Sequence, residues 1–129
     1  MIAVDTNVLV RLLTKDDRDQ AKRAAKLFGE NEIFIPKTVM LETEWVLRYA
    51  YGIDKSDILG AMQRLIGLSN IKMEDSQAVS LAVSWYADGL DFADALHLAS
   101  SRDAERFATF DKSFLRNAGQ VSPMNMLAP

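Results

Sequence analysis

Apolar positions along the chain switch repeatedly between short runs and a helical period, and the switches predict alternating strands and helices. "MIAV" is an apolar run ending at Asp5, and it predicts a buried strand followed at once by a helix. Thr6 and Asn7 suit the cap of that helix, "VLVRLLT". A second helix is predicted from about Asp17 to Phe28, stopped by Gly29. "EIFIP" reads as a strand closed by Pro36, and "KTVMLETEWVLRYAY" as a helix ended near Gly52. Asp54 is expected to cap a helix reaching about Leu68, and "IKM" is a short strand. "SQAVSLAVSWYAD" predicts a helix stopped at Gly89, and Asp91 begins the next, ending near Asp103. "RFATF" reads as a strand, "DKSFLRNAG" as a short helix and "QVS" as a last strand.

Strands alternating with helices predict a parallel sheet with helices on both faces, in one domain over residues 1–129. Ligands of such sheets bind outside the carboxyl ends of the strands. Asp5 and Asp111 each follow a predicted strand, so two acids from distant parts of the chain are expected at one edge.

Composition narrows the chemistry. The chain is 49% hydrophobic and 26% charged, as expected of a soluble globular protein. No apolar run is long enough for a membrane span, and the N-terminal run carries Asp5 and lacks a basic flank, unlike a secretory signal. The absence of cysteine excludes disulfides, thiolate zinc sites and a cysteine nucleophile, and fits a cytoplasmic protein. The single histidine, His97, excludes a multi-histidine metal site and reads as a structural or surface residue.

The net charge of -3 does not suggest a bulk electrostatic binder of nucleic acid. The charges are uneven, however. Arg11, Lys15, Arg18, Lys22, Arg23 and Lys26 crowd into one stretch, either as a solvated helix face with Asp19 supporting Arg23 or as a phosphate-facing patch.

Four carboxylates stand out, though three have an ordinary reading. Asp5 and Asp111 also suit helix caps, and Asp91 with Asp94 resembles a capping box. Glu42 is different. A helical period places it among Val39, Trp45, Val46 and Tyr49, in an apolar stripe with no basic partner on its own helix. Glu44 lies off that stripe and is expected to make a surface pair with Arg48. If Asp5, Glu42, Asp94 and Asp111 converge, each pair about 4 Å apart repels by roughly 4 kcal/mol at an effective dielectric near 20. A hard divalent cation relieves that repulsion, and oxygen-only ligation suits Mg²⁺ or Mn²⁺. Such an ion holding carboxylates and substrate phosphate is the layout of metal-assisted phosphodiester hydrolysis.

"VDTNVLVRLL", "LETEWVL", "DFADALHLA" and "TFDKSF", in this order, resemble the motifs of PIN-domain ribonucleases, and most closely those of the VapC toxins of bacterial toxin–antitoxin pairs. The resemblance runs over essentially the whole chain. It implies a three-layer α/β fold with a parallel five-stranded sheet flanked by helices. It implies metal-dependent endoribonuclease activity, with Asp5 and Asp94 as direct metal ligands and Glu42 and Asp111 acting through water or a second ion. Thr6, Asn7, Asp91 and Thr109 are then expected to support these acids from behind. No side chain matches the usual general base, so the cation is expected to activate water. Arg11, Lys15, Lys37, Lys112 and Arg116, near the motifs in sequence, are the candidate RNA contacts. The resemblance also implies a homodimer and a cognate antitoxin whose tail lies in the groove. Trp45, Tyr49, Tyr51, Trp85 and Tyr86 supply either an interface or the core.

Two alternatives remain open at this point. One is a catalytically inactive PIN-like binding module, against which the intact acids argue. The other is a receiver-type Mg²⁺-binding signalling domain, which needs adjacent acids after the first strand and a late lysine after a strand. Here Asp16 and Asp17 fall beyond a helix, and Asp111 stands where that lysine belongs.

Overall fold

Asp5, Asp17, Asp91 and Asp111 each begin a helix by folding their own carboxylates back onto backbone N–H groups. The computed structural model describes residues 1–129. The elements follow one another as β1 (Ile2–Ala3), α1 (Thr6–Thr14), α2 (Arg18–Glu30), β2 (Ile33–Ile35), α3 (Lys37–Trp45), a π-helical turn (Val46–Ala50), α4 (Lys55–Gly67), β3 (Ile71–Met73), α5 (Ser76–Ala87), α6 (Phe92–Ser100), β4 (Phe107–Ala108), α7 (Lys112–Val121) and β5 (Met126–Leu127). They form two compact units, Met1–Ser76 and Gln77–Pro129.

In the first unit the strands lie in the order β1-β2-β3, all parallel, with Ile2 opposite Ile33 and Ile33 opposite Ile71. Ile33 and Ile35 alternate around Phe34 and are fully buried, so one face of the middle strand anchors the core. Leu9 and Val10 of α1, Met40 and Leu47 around α3, and Ile58, Met62 and Leu65 of α4 complete it. β1 was expected to be buried and is not: Ile2 is 37% exposed. This strand is two residues long and pairs only with β2, so one side of its ladder stays open.

In the second unit β4 pairs with β5 in parallel, Phe107 opposite Met126. α5 buries Ala78, Val79, Ala82, Val83, Trp85 and Tyr86, and α6 buries Phe92, Ala95, Leu96, Leu98 and Ala99. Tyr86 meets Phe92 edge to face at 5.3 Å, and Phe107 packs against Phe114 at 5.4 Å. Gly89, at φ 109°, takes the left-handed backbone of the turn between α5 and α6.

Several sequence expectations need correction. The strands pair as three and two, not as one five-stranded ladder, because three of the five are only two residues long and contribute few ladder bonds. The last strand is at Met126–Leu127. "QVS" instead closes α7, where the Ser122 N–H donates to the Ala118 carbonyl at 3.0 Å. Gly29 does not stop α2, which continues to Glu30 and ends where the Asn31 side-chain amide donates to the Leu27 carbonyl. Thr6 and Asn7 lie inside the first turn of α1, and Asp5 is its cap.

Candidate active site

α6 carries the most informative acid. Its cap, Asp91, accepts the Asp94 N–H at 3.2 Å, and this puts Asp94 in the first turn. Asp94 is half-buried and its carboxylate has no ion-pair partner. Burial raises its pKa above the ordinary aspartate range. The negative charges of Asp91 and then Asp111 raise it further, while His97, one turn along the exposed side of α6, opposes the shift. Asp91 and Asp111 are therefore close enough in space for Asp94 to feel their charges. His97, set aside in the sequence, belongs to this electrostatic group.

Asp111 lies three residues beyond β4 and caps α7, accepting the Phe114 N–H at 3.0 Å. Its own N–H donates to the Thr109 hydroxyl at 3.0 Å. Thr109 thus fixes the backbone that carries Asp111, and does not hold the carboxylate as the resemblance implied. Phe110, between them, is exposed.

In the first unit Asp5 is exposed just beyond β1 and accepts the Thr6 N–H at 2.7 Å. The Thr6 hydroxyl behind it is buried and has no partner, so Thr6 supports Asp5 through its backbone. Asn7 is exposed and lines a cleft of about 540 Å³ between α1 and α2 with Val8, Arg11, Gln20, Arg23, Ala24 and Leu27.

α3 reverses the expectation for its two glutamates. Its buried face runs through Met40, Thr43, Glu44 and Leu47, while Glu42, Trp45 and Tyr49 face solvent. Glu44 is 1% exposed and pairs with Arg48 at 2.9 Å. Glu42 is the free carboxylate. The misreading came from the aromatics: Trp45 (57% exposed) and Tyr49 (62% exposed) resemble a core stripe but pack on each other at 5.5 Å, with the Arg48 guanidinium 4.6 Å above the Tyr49 ring. Trp85 and Tyr86 are core residues.

The expected RNA-contacting cations divide into two groups. Arg11 is tied to Gln20 at 2.7 Å, to the Tyr51 hydroxyl at 2.8 Å and to Asp16 at 3.1 Å, and its pKa is raised, first by Tyr51. Lys37 donates its backbone N–H to the Glu74 carboxylate at 2.8 Å and has Asp75 3.7 Å from its ammonium. Both serve the fold. Lys15, which ends α1 in a left-handed conformation, and Lys112 and Arg116 on α7 are exposed. The Asp19–Arg23 pair forms as expected, 3.6 Å apart on the surface.

In neither unit do three or more Asp, Glu or His side chains form a group placed to hold a metal ion. The donor chemistry nonetheless fits a hard cation. The candidate acids offer oxygen only, and Asp94 carries an unpaired charge that its neighbours oppose. No helix is long and apolar enough to cross a membrane.

No curated protein and no solved structure matches the chain. The PIN domain family matches residues 2–120. PIN domains are generally metal-dependent nucleases that typically bind Mg²⁺ or Mn²⁺, and the receiver-type alternative falls with this match. From the second residue nearly to its end, the chain belongs to the PIN domain family.

Proposed function

We propose that residues 1–129 act as one nuclease domain, a metal-dependent endoribonuclease that serves as the VapC-type toxin of a toxin–antitoxin pair. The observation that carries this reading is the place of Asp94, a half-buried acid in the first turn of α6 that has Asp91 and Asp111 as neighbouring charges and makes no ion pair. Asp5 and Asp94 are the proposed ligands of Mg²⁺ or Mn²⁺, with Glu42 and Asp111 acting through water or a second ion. When bound, the ion supplies the positive charge that neutralises these acids and the scissile phosphate, and it acidifies water. Asp91 holds the first turn of α6, so that Asp94 keeps its position. Thr109 holds Asp111 by its backbone. In the hydrolysis, water adds to phosphorus, the bond to the ribose 3′-oxygen breaks, and that oxygen takes a proton. The products are a 5′-phosphate and a 3′-hydroxyl.

The toxin role implies a cytoplasmic homodimer held inactive by a cognate antitoxin. The exposed pair Trp45–Tyr49 beside Glu42 offers aromatic surface for such a contact.

Thermal unfolding with EDTA and with Mg²⁺ or Mn²⁺ tests the reading. A ligand at a hundred times its dissociation constant adds about 2.7 kcal/mol to the native state. The reading expects a metal-dependent rise in Tm that Asp94→Asn abolishes. An equal rise in the variant would show that the ion binds elsewhere.

A further inference from the structure

Phe110 is the most exposed large apolar side chain in the second unit, at 81%. Of the six phenylalanines it alone stands in solvent, while Phe28, Phe92 and Phe114 are buried and Phe34 and Phe107 half-buried. The local core does not need it, because Phe107 and Phe114 already pack on each other. The residues on both sides of it are nonetheless held, Thr109 by its N–H to the Leu127 carbonyl at 3.0 Å and Asp111 by two bonds of its own. The Asp111 N–H donates back to Thr109, and the Asp111 carboxylate takes the Phe114 N–H, each at 3.0 Å. The ring is therefore presented from a tethered turn, directly before a candidate catalytic acid.

Two exposed cations follow on α7, which begins two residues later. Lys112 and Arg116 stand four positions apart on α7, one helical face, and neither makes an ion pair. An exposed aromatic ring followed closely in the chain by two exposed, unpaired cations matches single-stranded nucleic acid, which offers base faces to stack and phosphates to neutralise. A paired base has its faces covered by its neighbours in the helix, so a duplex leaves such a ring without a partner. A protein partner needs apolar area, and here the ring stands singly between Thr109 and charged residues.

We propose that Phe110 stacks an unpaired base of the RNA while Lys112 and Arg116 meet the adjacent phosphates, which makes Phe110 a positioning residue for the nucleotide next to Asp111. This rests on the ribonuclease reading and deepens it.

The test is fluorescence anisotropy with a short unstructured RNA oligonucleotide and with the same strand in a blunt duplex. It is run in an Asp94→Asn background to prevent cleavage. Phe110→Ala is expected to weaken single-strand binding by roughly five- to 150-fold, the range for one base–aromatic stack, with Phe110→Trp restoring it and the duplex little affected. Lys112→Gln with Arg116→Gln is expected to reduce the salt slope by about 1.4, at about 0.7 per phosphate contact. Unchanged single-strand binding in Phe110→Ala overturns the inference, as does an equal loss on duplex. So does a change confined to the protein's sedimentation, which would assign the ring to a contact between copies. Wild-type cleavage of RNA in a parallel assay keeps the nuclease reading standing if Phe110 fails. If neither wild type nor Asp94→Asn binds RNA, both fall.

Discussion

The Nε of Arg48 lies 2.9 Å from Oε2 of Glu44, one helical turn earlier, and Glu44 has almost no surface in water. Removing one partner of such a pair leaves the other charge uncompensated. Glu44→Ala is expected to destabilise the protein by about 3 kcal/mol, the low end of the range for a broken buried pair, since the Arg48 side chain stays 33% exposed. Glu42→Gln, two positions away on the exposed side, is expected to shift stability by less than about 0.5 kcal/mol while abolishing cleavage. Urea unfolding of both variants beside an RNA cleavage assay checks the pair, and the opposite pattern would exchange the roles of the two glutamates.

Asp94 sets a pH dependence. Its pKa is raised in the folded state, first by burial and then by Asp91 and Asp111. The folded protein therefore holds this proton to higher pH than the unfolded chain does. The associated stability is full below the ordinary aspartate pKa of about 3.9 and is lost as pH rises through the folded value. Asp94→Asn is expected to flatten that decline and to raise Tm at neutral pH in EDTA. Melting curves across pH with and without the substitution read this directly, and a variant less stable at neutral pH would contradict it.

Asp16 has the opposite sign. The Tyr51 hydroxyl donates to it at 2.8 Å and the Thr14 hydroxyl at 2.9 Å, and these bonds, Tyr51 first, lower its pKa. The stability they confer is present above the ordinary carboxylate pKa and is lost as pH falls through the lower folded value. Tyr51→Phe is expected to move the Asp16 titration up toward the ordinary value and to bring the acid-side loss of stability to higher pH. NMR titration of the Asp16 carboxyl carbon follows the shift, and an unmoved midpoint would remove Tyr51 as its principal cause.

Much of this arrangement was readable in the chain because the signals were local. Asp17, Asp91 and Asp111 act as helix caps wherever the fold puts them, since the bond is to a backbone N–H three residues on. Ile33 and Ile35 mark a strand by alternation alone. What failed depended on neighbours distant in sequence. Both sides of α3 carry apolar residues, and the period that put Glu42 in an apolar stripe followed Trp45 and Tyr49, which face solvent, while the buried side carries Met40, Thr43 and Glu44. Arg11 looked free for phosphate because its partner Tyr51 lies forty positions away. β5 was missed because "ML" near the C-terminus has too little length to carry a period.

RNA cleavage by wild type and Asp94→Asn, each with Mn²⁺ or Mg²⁺ and each with EDTA, tests the central claim most directly. The expected result is metal-dependent endonucleolytic cutting by wild type that leaves 5′-phosphate and 3′-hydroxyl ends, with none in EDTA and none from a folded Asp94→Asn protein. Cutting that survives EDTA, or that proceeds undiminished in the variant, would contradict the claim that these acids hold the ion that drives hydrolysis.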